Sequence, residues 1–169
     1  KFKEVGNNSA LNDPSFSNGA AYADLDNDGD LEIIVNNIDE DAFIYKNLSI
    51  EKKLGNYLKV RANGILSENF AKGTLYFNNN SRLKEFKRVR GYLSSVSDEL
   101  HFGLGKVSKI DSLVVEWSSG KKEVLYEIDV NQTITVNEKD SKFRNDKKEE
   151  SKQIFSKIND FIEYTHNEN

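Results

Sequence analysis

The 169-residue chain has no cysteine, which excludes disulfides, thiolate zinc sites and cysteine nucleophiles together. It has one proline and two histidines, His101 and His166, far apart in sequence. No apolar run is long enough to span a membrane, and no secretory signal or lipidation motif is visible. The chain opens at Lys1 without an initiator methionine. A piece of a longer protein, with any targeting signal elsewhere, is therefore the expectation. The formal charge of −4 is small beside 31% charged residues, and the acidic groups gather in one stretch, which argues against nucleic acid as a partner. Aromatics at 11% suit a β-rich body, because Phe and Tyr fit a pleated, half-buried surface.

That acidic stretch is Asp24-Leu25-Asp26-Asn27-Asp28-Gly29-Asp30-Leu31-Glu32. Carboxylates stand at alternate positions, and a glycine sits sixth. So many like charges in one turn repel at short range, and a cation removes the repulsion. Ca2+ takes six to eight oxygens in flexible geometry, so alternating carboxylates can fold around it where a small residue permits a sharp turn. Asp24, Asp26 and Asp28 are expected to give side-chain oxygens, Asp30 its backbone carbonyl and Glu32 the closing carboxylate. An EF-hand would also need a bidentate Glu at position twelve, which here is Val35, and flanking helices. The flanks, Gly19 to Ala23 and Leu31 to Val35, are small or β-branched and read as strands. The competing reading is a solvated acidic turn, since Asp, Asn and Gly are what any turn prefers; the spacing favours the metal.

Three strand-like runs, Ala20 to Ala23, Leu31 to Asn36 and Ala42 to Lys46, follow one another as a meander, and Phe2 to Val5 is a possible earlier strand. After a polar link over 48–56, a second set begins: Tyr57 to Ala62, Gly73 to Phe77, Leu83 to Val89, Ile110 to Trp117, Lys121 to Ile128 and Gln132 to Asn137. Turn signals separate them at Asn78-Asn79-Asn80, Gly103-Leu104-Gly105 and Ser118-Ser119-Gly120, which predicts a small β-sandwich or barrel-like domain. Residues 139–152 are dense in Lys, Glu, Asp and Asn and read as a charged linker. Ile154, Phe155, Ile158, Phe161, Ile162 and Tyr164 then form an amphipathic tail whose spacing fits a helix, while its β-branched and aromatic content also permits two strands.

Two families are resembled. Ser17 to Glu32, closed by Val35-Asn36-Asn37 and Ala42 to Asn47, resembles an FG-GAP or VCBS-type repeat. That resemblance implies one blade of a calcium-binding β-propeller, with neighbouring blades of the same chain as partners. The run Tyr57 to Val60, Arg90-Gly91-Tyr92-Leu93-Ser94-Ser95, His101 to Gly105, Val114 to Trp117, Ser119-Gly120-Lys121 and Asn131-Gln132 resembles the ASPIC/UnbV domain. Against that family's pattern, the small-residue stretch near Asn69 is abbreviated, and Ser118-Ser119 replaces the usual Pro near Trp117. The organisation expected is thus all-β: residues 1–47 a propeller-type blade, 57–138 an ASPIC/UnbV-like β-domain, and 139–169 a linker and the start of a following module.

Other chemistry is weighed on the same residues. His101 lies between Leu100 and Phe102, near Ser94, Ser95 and Ser97; without a converging acid it reads as a hydrogen-bonded structural histidine. Gly103-Leu104-Gly105-Lys106 lacks the full spacing of a phosphate loop. Arg82, Lys84, Lys87, Arg88 and Arg90 alternate with Leu83, Phe86 and Val89. They are candidates for binding an anionic polymer, or form a solvated edge strand whose charges deter aggregation. The function expected is a non-enzymatic calcium-binding module, extracellular or at the cell surface (outer-membrane-associated if bacterial), for adhesion or for binding a protein or glycan ligand. The alternative is an accessory or enzymatic subunit of a polysaccharide-degrading or uptake system whose site lies outside this chain.

Overall fold

A computed structural model describes residues 11–63 and 71–143. The expectations for Phe2 to Val5, for the stretch at Asn69 and for the tail with His166 lie outside the described residues. The described part is all-β and contains no α-helix. No helix among these residues is long and apolar enough to cross a membrane.

The strands are β1 (Ser17–Ala23), β2 (Glu32–Asn37), β3 (Phe43–Tyr45), β4 (Asn56–Asn63), β5 (Lys72–Phe77), β6 (Asn80–Glu85), β7 (Val89–Gly91), β8 (Ser94–Ser95), β9 (Glu99–Gly105), β10 (Lys109–Glu116), β11 (Lys121–Asp129), β12 (Gln132–Asn137) and β13 (Lys142–Phe143). They form four open sheets, ordered β1-β2-β3, β13-β11-β10-β5-β6, β12-β4-β9 and β7-β8. All pairings are antiparallel except β12 with β4, where Ile134 stands opposite Val60 in parallel register. Alternation sets which face is inward. In β9, Leu100, Phe102 and Leu104 are buried, and in β10 Ile110, Leu113 and Val115 are. With Leu58, Val60, Leu75 and Trp117 they make one core shared by the three-stranded and five-stranded sheets. Trp117 Nε1 donates to Ser141 Oγ at 2.7 Å, so its one polar atom is satisfied inside that core. The β5–β6 hairpin turns on Asn78 and Asn79, both at positive φ (47° and 58°), the conformation a two-residue type I′ turn requires.

This architecture corrects several expectations. A propeller blade is normally a four-stranded sheet repeated around a channel; here β1-β2-β3 is a single three-stranded open sheet, and no second copy of it stands among the described residues. No neighbouring blade therefore stands among the described residues. The loop between β1 and β2 is covered instead by β4 and β9. The second body is not barrel-like, because among the described residues one of its sheets ends in unpaired edges at β6 and β13 and the other at β9 and β12. Finally, the basic run read as one strand from Leu83 to Val89 is broken: β6 ends at Glu85, and the N–H of buried Phe86 bonds to Ala71 O before β7 begins. Conversely, Gly103-Leu104-Gly105, expected to turn, continues strand β9.

Candidate metal centre

The acidic loop runs from the end of β1 to the start of β2, whose registers bring Ala23 opposite Glu32. A chain that reverses over so few residues needs unusual backbone, supplied by Asn27 (φ 61°) and Gly29 (φ 108°). Gly29 is required for space as well, since a Cβ there would lie 2.0 Å from Tyr57 Cε1. Inside the loop, Asp24 Oδ2 accepts the Gly29 N–H at 3.2 Å, and Asp28 Oδ1 accepts the Asp30 N–H at 3.0 Å. These bonds fold successive carboxylates toward one another.

Two carboxylate groups result. Oxygens of Asp24, Asp26 and Asp28 lie within 4.8 Å of one another, as do oxygens of Asp28, Asp30 and Glu51. Three ionised carboxylates at that spacing oppose one another unless a cation or proton intervenes. Asp30 is 5% exposed. Burial, with the charges of Asp28 and Glu32, raises its pKa above the usual aspartate value, against the bond it accepts from the Ile50 N–H at 3.0 Å. Two oxygens in the site, Asp24 Oδ1 and Asp30 Oδ1, are buried and accept no hydrogen bond. A buried carboxylate oxygen without a donor carries a desolvation cost that a hard cation would remove.

Lysines supply part of the neutralisation. Lys46 Nζ stands 2.8 Å from Asp26 Oδ2 and 2.8 Å from Glu51 Oε1, bridging the two groups at the surface. The bond to Lys46 lowers the pKa of Asp26, and in return Asp26 and Glu51 raise that of Lys46. Lys59, from β4, forms a second ion pair with Asp24 Oδ2, and here both side chains are buried. The seam around that pair is continuous: Lys59 Nζ sits 5.5 Å from the Tyr57 ring centroid, Tyr57 stacks on His101 at 5.9 Å, and His101 Nε2–H donates to Gly29 O at 2.7 Å. The carbonyl can only accept, so Nε2 carries the proton. His101 is therefore a hydrogen-bonded structural histidine, and it anchors the loop to β9.

The five loop residues named from spacing are thus placed differently. Asp24, Asp26 and Asp28 converge. Asp30, expected to offer its backbone carbonyl, brings its side chain to the second group. Glu32 belongs to neither, because its oxygens accept the backbone N–H groups of Leu25 (2.8 Å) and Asn47 (3.4 Å), tying the loop to the segment that follows β3. Glu51 comes from outside the loop, in the turn after β3, where Leu54 N and Lys53 N bond back to Ser49 O and Ile50 O. No spacing within the motif could point to it; the only local hint is an acid following the Asn47-Leu48-Ser49 turn.

The basic candidates do not form one strip. Arg82 and Lys84 share a face of β6 and lie over the rings of Phe77 and Phe102, at 5.3 and 5.9 Å, and Arg82 donates to Gly103 O. Burial, then Arg90 and Arg82, lowers the pKa of Lys84. Arg88 pairs with Asp98 at 2.6 Å, while Lys87 precedes β7 and Arg90 lies on it. Arg82, Lys84 and Arg88 are thereby engaged with the protein itself.

Comparison with known families gives a match to ASPIC and UnbV over residues 71–143, which takes in β5 to β13 and leaves out the acidic loop and β4. No curated protein matches the chain. The expected FG-GAP or VCBS identity of the first part is not upheld: its sheet is a lone open meander whose loop docks on β4 and β9, not one blade among others. What stands is an acidic all-β module with two carboxylate groups that can hold a divalent cation.

Proposed function

We propose that this chain is a non-enzymatic calcium-binding module, with the ion held by Asp24, Asp26 and Asp28. The observation that carries the reading is that Asp24, a member of a three-carboxylate group, has its Oδ1 buried without a donor. Calcium is preferred to magnesium on chemical grounds. Magnesium demands near-ideal octahedral geometry and keeps several waters, whereas a loop of alternating carboxylates and carbonyls offers many oxygens at adaptable distances. A dissociation constant of about 10⁻⁴ to 10⁻³ M, the range of extracellular calcium modules, would suit a working site outside the cell. The ion's role is to hold the loop and, through it, the seam to β4 and β9.

Thermal unfolding tests this directly. Calcium in hundredfold excess over its dissociation constant stabilises a folded site by about 2.7 kcal/mol. The midpoint of the chelator-treated chain should rise on adding calcium, rise less with magnesium, and lose most of the gain in Asp26→Asn. A cooperative transition that calcium leaves unmoved would reduce the loop to an acidic turn.

A further inference from the structure

The second carboxylate group is separate from the loop's own geometry, because one of its members, Glu51, arrives from the turn after β3. Its central member is the most buried of the set: Asp30 is 5% exposed, Oδ2 accepts the Ile50 N–H, and Oδ1 is enclosed with no donor. Fixing the Ile50 N–H on one oxygen orients the other, and Asp28 Oδ1 is likewise fixed by the Asp30 N–H. Asp28 borders a groove of about 600 Å³, and Asp30 borders one of about 300 Å³.

Charge decides how many ions the arrangement can take. The two groups together hold five carboxylates, Asp24, Asp26, Asp28, Asp30 and Glu51. Of the two ammonium groups beside them, Lys59 is buried in the seam and stays, whereas Lys46 is exposed and bridges Asp26 to Glu51, one carboxylate from each group. If Lys46 swings out, five carboxylates and Lys59 leave four negative charges, which two divalent ions balance. A single ion would leave the set two charges short.

We propose that Asp28, Asp30 and Glu51 form a second divalent-cation position beside the first, with Asp28 bridging the two ions and Lys46 as the internal cation they displace. This rests on the calcium reading of the first group. The bridging carboxylate is the device by which paired divalent ions are held about 3.5–4 Å apart.

Isothermal titration calorimetry of the chelator-treated full chain with calcium chloride is the test. The wild type should bind two ions per chain. Glu51→Gln should bind one, and Asp26→Asn should also bind one, by losing the other position. Lys46→Gln should keep two and bind them about two- to fivefold tighter, the equivalent of an exposed ion pair no longer competing. Because Glu51→Gln also frees Lys46 to sit on Asp26, the double variant Lys46→Gln/Glu51→Gln is needed; it should still bind one ion. A wild type that binds one ion, lost in Asp26→Asn and unaltered in Lys46→Gln/Glu51→Gln, would overturn the second position and leave the first standing. No calcium binding at all would overturn both.

Discussion

Replacing Lys59 with methionine keeps most of the side-chain volume and removes the charge that faces Asp24. In the wild type the two side chains are 8% and 4% exposed, so solvent cannot stand in for the lost ammonium. Removing one partner of a buried ion pair typically costs about 3–5 kcal/mol, because the other charge stays buried and uncompensated. The penalty has a ceiling, since an aspartate of ordinary acidity can instead be protonated at neutral pH for about 4 kcal/mol. Lys59→Met should therefore destabilise the chelator-treated chain by roughly 3–4 kcal/mol at neutral pH. For a domain of this size that lowers the thermal midpoint by roughly 6–16 °C. The deficit should shrink to about 1.5 kcal/mol near pH 5, where protonation is cheaper. Urea unfolding of wild type, Lys59→Met, Asp24→Asn and the double variant, in chelator and in calcium, gives the coupling energy. Singles whose effects add in the double variant, or a Lys59→Met within about 1 kcal/mol of wild type, would refute the claim that this pair holds the seam.

Two further outcomes bear on the same seam. Gly29→Ala must place a Cβ at positive φ and 2.0 Å from the Tyr57 ring, and should cost roughly 2–4 kcal/mol; Tyr57→Leu in the same chain should recover part of it, as read from urea midpoints. Burial, opposed by the bond to Gly29 and reinforced by Lys84 and Lys59, holds the imidazole of His101 below the usual 6.5. The unfolded chain then takes up a proton first, so this stability is fully present above about pH 6.5 and is lost as pH falls toward the folded value. The wild-type urea midpoint should drop more between about pH 7 and pH 5 than that of His101→Gln, and equal drops would count against a neutral, half-buried His101.

Much of the strand layout was legible, because period-two alternation and turn residues are local properties. The meander around the acidic loop and the Asn78-Asn79 hairpin are cases where side-chain chemistry alone fixes the backbone. Strand β9 was missed as a strand because glycines in Gly103-Leu104-Gly105 signal a turn, although inward Leu100, Phe102 and Leu104 keep the strand period. The propeller reading failed for a different reason. A blade and a lone three-stranded meander share the same local pattern, and only the surface that covers the sheet and its loop separates them. That surface is β4 and β9, and it recognises the loop through Lys59, Tyr57 and His101, residues whose own surroundings say nothing about a loop some thirty to seventy positions earlier.

The same limit applies within the site. Alternate spacing identified which carboxylates could converge, yet it could not show which of them the backbone would use. Glu32 carries the same charge as its neighbours, but it is occupied by the N–H groups of Leu25 and Asn47. Burial sorts the lysines in the same way. Lys59 pairs with Asp24 through Oδ2 and leaves Oδ1 without a donor, so an ion can bind Asp24 without opening the seam. Lys46 is 53% exposed and holds Asp26 and Glu51 from the solvent side, so an ion that needs those oxygens can send it back to water at little desolvation cost. One lysine is therefore part of the fold, and the other is the one that a bound ion would displace. Lys59→Met should lower stability with or without calcium, whereas Lys46→Gln should leave the calcium-loaded midpoint nearly unchanged.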